Sequence, residues 1–206
     1  DVYGGQTSRV NSMFSQQTEG VARQWSSFND YSGMQPTRFN AVWNIYYGEL
    51  LVEVNSMIAD AQEDGYNHYV GIGQIQKAAA LLDMTDWWGS IPYTTAASGI
   101  EEVNPTFDTQ ESIYTEVFNL LASGSTNMGL SDGGFSVGND DVIYGGDTSK
   151  WIKVANAIKA RAHLHLGQYA EALAAAKASL TSQDDNMTYT FGTTQQAGWW
   201  RFNDGR

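Results

Sequence analysis

The stretch from Gly71 to Ala96, GIGQIQKAAALLDMTDWWGSIPYTTA, constrains this chain more than any other. Ile72, Ile75, Ala79 and Leu82 recur at three- and four-residue spacing, which predicts an amphipathic helix over 72–84. Gln74, Gln76, Lys77 and Asp83 are expected on its polar side. Gly89 breaks the helix. Pro92 lacks a backbone N–H and biases Ile91 away from helical angles. Thr85 to Tyr93 is therefore expected to leave the helix as a rigid turn carrying two adjacent indoles, Trp87 and Trp88. The helices on either side are the expected packing partners.

Similar periodicity covers most of the remaining chain. Val10, Met13, Phe14, Val21, Trp25 and Phe28 predict a helix over 9–31, and NDYSGMQP (29–36) reads as a loop. Val42, Ile45, Tyr46, Leu50, Val54, Ile58 and Ala61 predict a helix over 39–61, with Gly65 as its C-cap. Asp108 and Glu111 have the spacing of a capping box, opening a helix over 109–122 that buries Ile113, Val117, Leu120 and Leu121. Residues 123–147 form a Gly- and Asp-rich surface excursion. Asp147-Thr-Ser then offers N-caps for a helix over 150–166. A last helix over 168–180 is expected to turn Tyr169, Ala172, Leu173, Ala176 and Leu180 inward. The Leu-Gly-x-Tyr-x-x-Ala run in 155–180 is close to a tetratricopeptide helix–turn–helix. The expected fold is thus all-α, built of tetratricopeptide-like helical pairs with long irregular loops.

The chemistry is bounded by composition. A net charge of −12 argues against nucleic-acid binding and against docking on an anionic membrane through a basic patch. No cysteine is present, so there is neither a disulfide nor a thiolate site. No apolar run approaches the ~20 residues needed to span a bilayer. The chain starts at Asp1 and stops after AGWWRFNDGR, so the expectation is one domain over 1–206, cut from a longer protein.

Gly134-Phe-Ser136-Val-Gly138 matches the G-x-S-x-G elbow of hydrolases, but that mechanism needs a strand before the serine and a helix after it. Neither flank supplies one. His163 and His165 stand two apart on a helix and point in different directions, as packed or solvated side chains do. His68 reads as alone in a polar loop. Asp140/Asp141 and Asp184/Asp185/Asn186 are oxygen-rich without the spacing of a calcium loop. No cofactor is expected, and a structural calcium assembled from loops stays open. Glu101/Glu102 are too close in sequence to argue for a glycosidase pair.

Aromatics make up 13 % of the chain, with seven Trp and eleven Tyr. A sugar presents a face of C–H groups to a flat ring and a rim of hydroxyls to Asn, Asp or Arg. Trp25, Asn29, Tyr31 and Arg38 have that composition, as do Trp199, Trp200 and Arg201 in the terminal stretch. These seven are the expected ligand-binding residues, with no catalytic residue among them. Each ring also has a structural reading, as a staple holding a loop to the helices.

Three motifs in order carry a family resemblance. TDWWGSIPYTTA (85–96) resembles the TD-x-WG-D-IPY-x-EA segment of SusD-like (SusD/RagB-type) proteins. FNAVWNIYYGELLVEVNSMI resembles the family's W-x-x-x-Y-x-x-x-L-x-x-x-N-x-x-I helix. YGGDTSKWIKVANAIKARAHLHLG is similar to its YGGD-x-x-KW-x-K-x-AN-S-L-K-x-R helix. DVYGG and Gln16, Gln17 and Gly20 also fit, while Ser90 and Thr95 replace the usual Asp and Glu. The resemblance implies a non-enzymatic, surface-exposed outer-membrane lipoprotein of Bacteroidetes-type bacteria. It implies capture of an oligosaccharide or polysaccharide and delivery to a SusC-like TonB-dependent transporter, with attachment through a lipid anchor absent from this chain. It also implies that Trp87 and Trp88 are mainly scaffold. A tetratricopeptide-type protein-interaction scaffold that binds no sugar is the alternative.

Overall fold

The computed structural model describes residues 6–32, 35–96 and 104–192. Their contacts group into two units, residues 1–50 with 190–206, and residues 51–189.

In the first unit α1 (Gln6–Phe14) is short. The helix predicted over 9–31 stops there, because the polar run Ser15–Thr18 has nothing to bury and Gln16 turns at φ +57°. The chain resumes as a 3-10 turn, Arg23–Phe28. A Cβ on Gly20 would lie 2.0 Å from the Trp25 carbonyl oxygen, so only glycine fits that return. Val10 and Met13 bury against Phe28, with Phe14, Trp25 and Phe39 packed around them. A second 3-10 turn, Pro36–Phe39, leads into α2 (Asn40–Asn44) and a π-helical segment, Ile45–Leu50.

The second unit begins with α3 (Leu51–Asp64). Gly65 ends it at φ +72°, and the Tyr66 N–H reaches back to the Ala61 carbonyl, as a glycine C-cap requires. Next comes α4 (Asn67–Trp88), the central element, which packs against α3, α5 and α6. It runs longer at both ends than the periodicity predicts, and Thr85 to Trp88 remain helical until Gly89 at φ +70°. Nor is it amphipathic: Ile75, Leu81, Leu82 and Met84 are buried, and so are Asp83 and Thr85. The Arg161 guanidinium is what admits Asp83 to the core, with Nη1 2.8 Å from Asp83 Oδ1 and Nη2 2.8 Å from Asp86 Oδ2. A buried charge without such a fork would be costly. Tyr114 also donates to Asp86, at 2.9 Å.

After Gly89, β1 (Ile91–Pro92) pairs antiparallel with β2 (Phe107–Asp108). Asp108 does not cap the following helix. Its carboxylate accepts the N–H groups of Tyr93 and Thr94 at 2.9 and 2.8 Å. Thr109 is the N-cap instead, and α5 (Gln110–Asn127) extends five residues into the predicted excursion. Its expected core set, Ile113, Val117, Leu120 and Leu121, is buried.

The YGGDTSKW motif is a knot that starts α6 (Thr148–His165). Asp141 accepts from the N–H groups of Ile143, Tyr144 and Gly146 and from the Trp151 indole. Gly145 and Gly146 take φ +60° and +85°, and a Cβ on Gly146 would sit 2.2 Å from the Val137 carbonyl oxygen. Asp147 caps the helix, as expected. The last helix, α7 (Tyr169–Lys177), packs on α6 and buries only Ala172 and Ala175. Tyr169 and Leu173, expected inward, are exposed, because the alanine face alone meets α6.

Asp185 accepts from Lys153 Nζ at 2.6 Å and from the N–H groups of Thr181 and Ser182. The Lys153 bond and then these backbone bonds hold its carboxyl well below the usual carboxylate range. A carboxyl depressed on folding stabilises the protein above its unfolded pKa, and the contribution is lost as pH falls through the folded one. Asp185→Asn should therefore lower the melting temperature at neutral pH and leave a smaller difference from wild type in strong acid. A difference that is flat from neutral to strongly acidic pH would contradict this role.

Candidate functional site

Each unit carries an aromatic cluster among its described residues, beside further ring pairs such as Trp43–Tyr47 and Trp87–Trp88. The first cluster holds three of the residues expected to bind a ligand. Trp25 tilts against Phe28 at 5.6 Å between ring centroids, and Tyr31 stacks on Phe14 at 6.0 Å. The Asn29 amide is taken up by Gly20, accepting from its N–H at 2.8 Å and donating to its carbonyl at 3.0 Å. The Tyr31 hydroxyl donates to the Phe14 carbonyl at 2.9 Å. These groups fasten the return between α1 and the 3-10 turn. Arg38 belongs to the Pro36–Phe39 turn, and its side chain lies outside the described residues, as do Trp199, Trp200 and Arg201. Glu101 and Glu102 lie outside them too.

The second cluster was not singled out by sequence reasoning. It forms a cleft of about 420 Å³ in the second unit. One wall is a single face of α3, carrying Glu53, Ser56, Met57, Asp60 and Asp64; the other is Tyr66, Tyr69 and Phe135. The volume is within the ~300–1,000 Å³ usual for ligand clefts. Ring centroids are 6.3 Å apart for Tyr66 and Tyr69, 5.6 Å for Tyr66 and Phe135, and 6.1 Å for Tyr69 and Phe135. Phe135 keeps 56 % of its surface in solvent, so its ring is displayed rather than stored.

Hydrogen bonds from the start of α4 to the loop explain how an exposed phenylalanine stays in place. The Asn67 amide donates to the Ser131 carbonyl, and the His68 N–H donates to Asp132, both at 2.8 Å. The Gly133 N–H reaches the Gly65 carbonyl. His68 is in the first turn of α4 and is not alone: Nε2 donates to the Leu130 carbonyl, and Nδ1 lies 2.8 Å from Asp132 Oδ2. The loop after α5 is thereby stitched to the start of α4. Tyr69 donates to Asp140, and burial followed by that bond pushes its phenol up to about 12, so the hydroxyl remains a donor at neutral pH.

The remaining sequence candidates are placed differently. Ser136 sits in irregular chain with neither a strand before it nor a helix after it, so the elbow geometry is not formed. The G-x-S-x-G match falls in the loop that lines the cleft, where the displayed side chain is its second residue, Phe135. His163 stacks on Phe118 at 4.5 Å, and His165 lies beside Asp86 and Tyr114. No group of three or more His, Asp or Glu residues suited to a metal occurs among the described residues. Asp140 and Asp141 are instead engaged by Gly138, Tyr69 and the knot before α6.

A family model, SusD-like_2, described as starch-binding and associating with the outer membrane, matches residues 3–204. A SusD/RagB family protein from Bacteroides thetaiotaomicron superposes with a TM-score of 0.87 at 24 % identity, over 100 % of this chain and 45 % of that one. A protein described as chitin-binding superposes at 0.79 and 24 % identity, over 100 % and 46 %. A chitin-binding SusD homolog from Flavobacterium johnsoniae superposes at 0.65 and 19 % identity, over 92 % and 42 %. The chain thus spans less than half the length of these structures. No curated protein matches.

Proposed function

The chain belongs to the SusD-like family, and from that premise we propose that it captures a polysaccharide or oligosaccharide at the bacterial outer-membrane surface without catalysis. In this reading it is part of a lipid-anchored, surface-exposed protein and passes its glycan to a SusC-like TonB-dependent transporter. The observation that carries the reading is the cleft of Tyr66, Tyr69 and Phe135, whose rings meet an open 420 Å³ space faced by carboxylates. Rings supply the flat apolar contact for a sugar's C–H face, and carboxylates accept from its hydroxyls. Trp25, Asn29, Tyr31 and Arg38, together with Trp199, Trp200 and Arg201, stand as further proposed contacts. The glycan descriptions of the family model and of two solved relatives support the ligand class.

Affinity electrophoresis against a panel of polysaccharides, followed by calorimetry, tests the proposal. Binding to one class is expected, and Phe135→Ala should weaken it by about 1–3 kcal/mol if the ring is an anchor. A folded protein that binds nothing across the panel would favour the tetratricopeptide-type protein-interaction scaffold.

A further inference from the structure

The cleft is acidic as well as aromatic. Glu53, Asp60 and Asp64 line it with the three rings, and no Lys, Arg or His is among the lining residues. Asp60 and Asp64 are one helical turn apart on α3, where like charges repel. The rings offer the other half of a cation site, since a cation is attracted to the face of a tyrosine or phenylalanine ring. The bond from Tyr69 to Asp140 leaves the phenol oxygen more electron-rich, which strengthens that face. A chain carrying a net charge of −12 also draws cations from a distance.

Resting on the glycan reading above, we propose that the cleft selects a saccharide bearing a free, positively charged amine, a de-N-acetylated amino sugar. The pyranose face lies against Phe135 and Tyr69, and the ammonium points at the α3 carboxylates. Glu53, Asp60 and Asp64 are exposed, so a neutral sugar would use the rings and leave these carboxylates to solvent, while an ammonium would gain their attraction as well. An acidic sugar would meet them with repulsion.

The test is calorimetry on the full chain with two probes of equal length, a glucosamine tetramer and its fully N-acetylated counterpart. The glucosamine oligomer should bind about tenfold more tightly at low salt. That preference should shrink at about 0.5 M salt and in Glu53→Gln, Asp60→Asn and Asp64→Asn. Phe135→Ala should weaken binding of the glucosamine oligomer whatever the salt. Equal affinity for the two oligomers, with loss in Phe135→Ala, would overturn amine selection and leave glycan capture standing. Binding of some other glycan through Phe135, with neither probe held, would do the same. Failure of every glycan would overturn both readings. Tight binding of oligolysine in place of sugar would overturn amine selection in favour of a basic protein segment.

Discussion

Trp151→Ala is expected to lower unfolding stability by about 3–5 kcal/mol, the range for removing a large aromatic side chain from a core. Trp151 is only 1 % exposed and is among the largest fully buried side chains of the described residues. Its ring meets Tyr144 edge-on at 5.5 Å, and its indole N–H donates to Asp141 Oδ2 at 2.8 Å. Alanine would leave a cavity at the start of α6 and remove one of the donors that hold Asp141 in the knot. Trp151→Phe separates these contributions. It keeps most of the apolar ring and loses the donor, so a cost nearer 1–3 kcal/mol is expected. Urea denaturation followed by far-UV circular dichroism gives both numbers. A wild-type midpoint for Trp151→Ala would remove the YGGDTSKW segment from the structural core.

Gly71→Val is expected to cost about 3 kcal/mol or more. At Gly71 α4 passes close to α5, and a Cβ there would lie 2.8 Å from the Gly124 carbonyl oxygen and 2.3 Å from the Met128 methyl. The methyl can swing away, but the carbonyl belongs to helical backbone and cannot. Gly124 faces the same constraint, its Cβ position lying 2.9 Å from Ile75 Cγ1 and 3.0 Å from the Gly71 carbonyl oxygen. Leaving glycine inside a helix normally gains up to ~1 kcal/mol in propensity. Overpacking that moves backbone typically costs ~1–3 kcal/mol and occasionally more. Two β-branched methyl groups add to the single Cβ clash, so the packing term wins. Gly48→Ala serves as the control, since nothing lies within 4 Å of its Cβ position. Equal melting temperatures for Gly71→Val and Gly48→Ala would disprove the close crossing.

The scaffold was largely legible in the sequence because its signals are local. Asp147 as an N-cap, Gly65 as a C-cap and the periodic core of α5 each involve residues within one or two helical turns. Readings failed where a distant partner decides the outcome. Asp83 looked like a polar-face residue because its partner, Arg161, lies on another helix. Asp108 had capping-box spacing, yet its carboxylate was taken by the turn that carries Tyr93. The helix predicted over 9–31 had enough apolar residues, but Gly20 and the left-handed Gln16 let them fold back as two short segments.

The cleft was the least legible part for the same reason. One wall comes from α3, and the other joins the start of α4 to a loop 64 to 71 residues further on through side-chain bonds. Nothing periodic marks such a join. The Gly-rich excursion and its embedded Phe135 were the only local hint. Trp25 and Tyr31 were easier to notice because their aromatic density is local, although each also has a partner within its own unit.

Calorimetric titration of the best-binding oligosaccharide into wild-type, Phe135→Ala and Trp25→Ala proteins is the most direct measurement of where a glycan is held. The cleft predicts that Phe135→Ala weakens binding about tenfold or more while both variants stay folded. Wild-type affinity in Phe135→Ala, with the loss appearing in Trp25→Ala instead, would contradict the cleft and move the sugar to the first aromatic cluster.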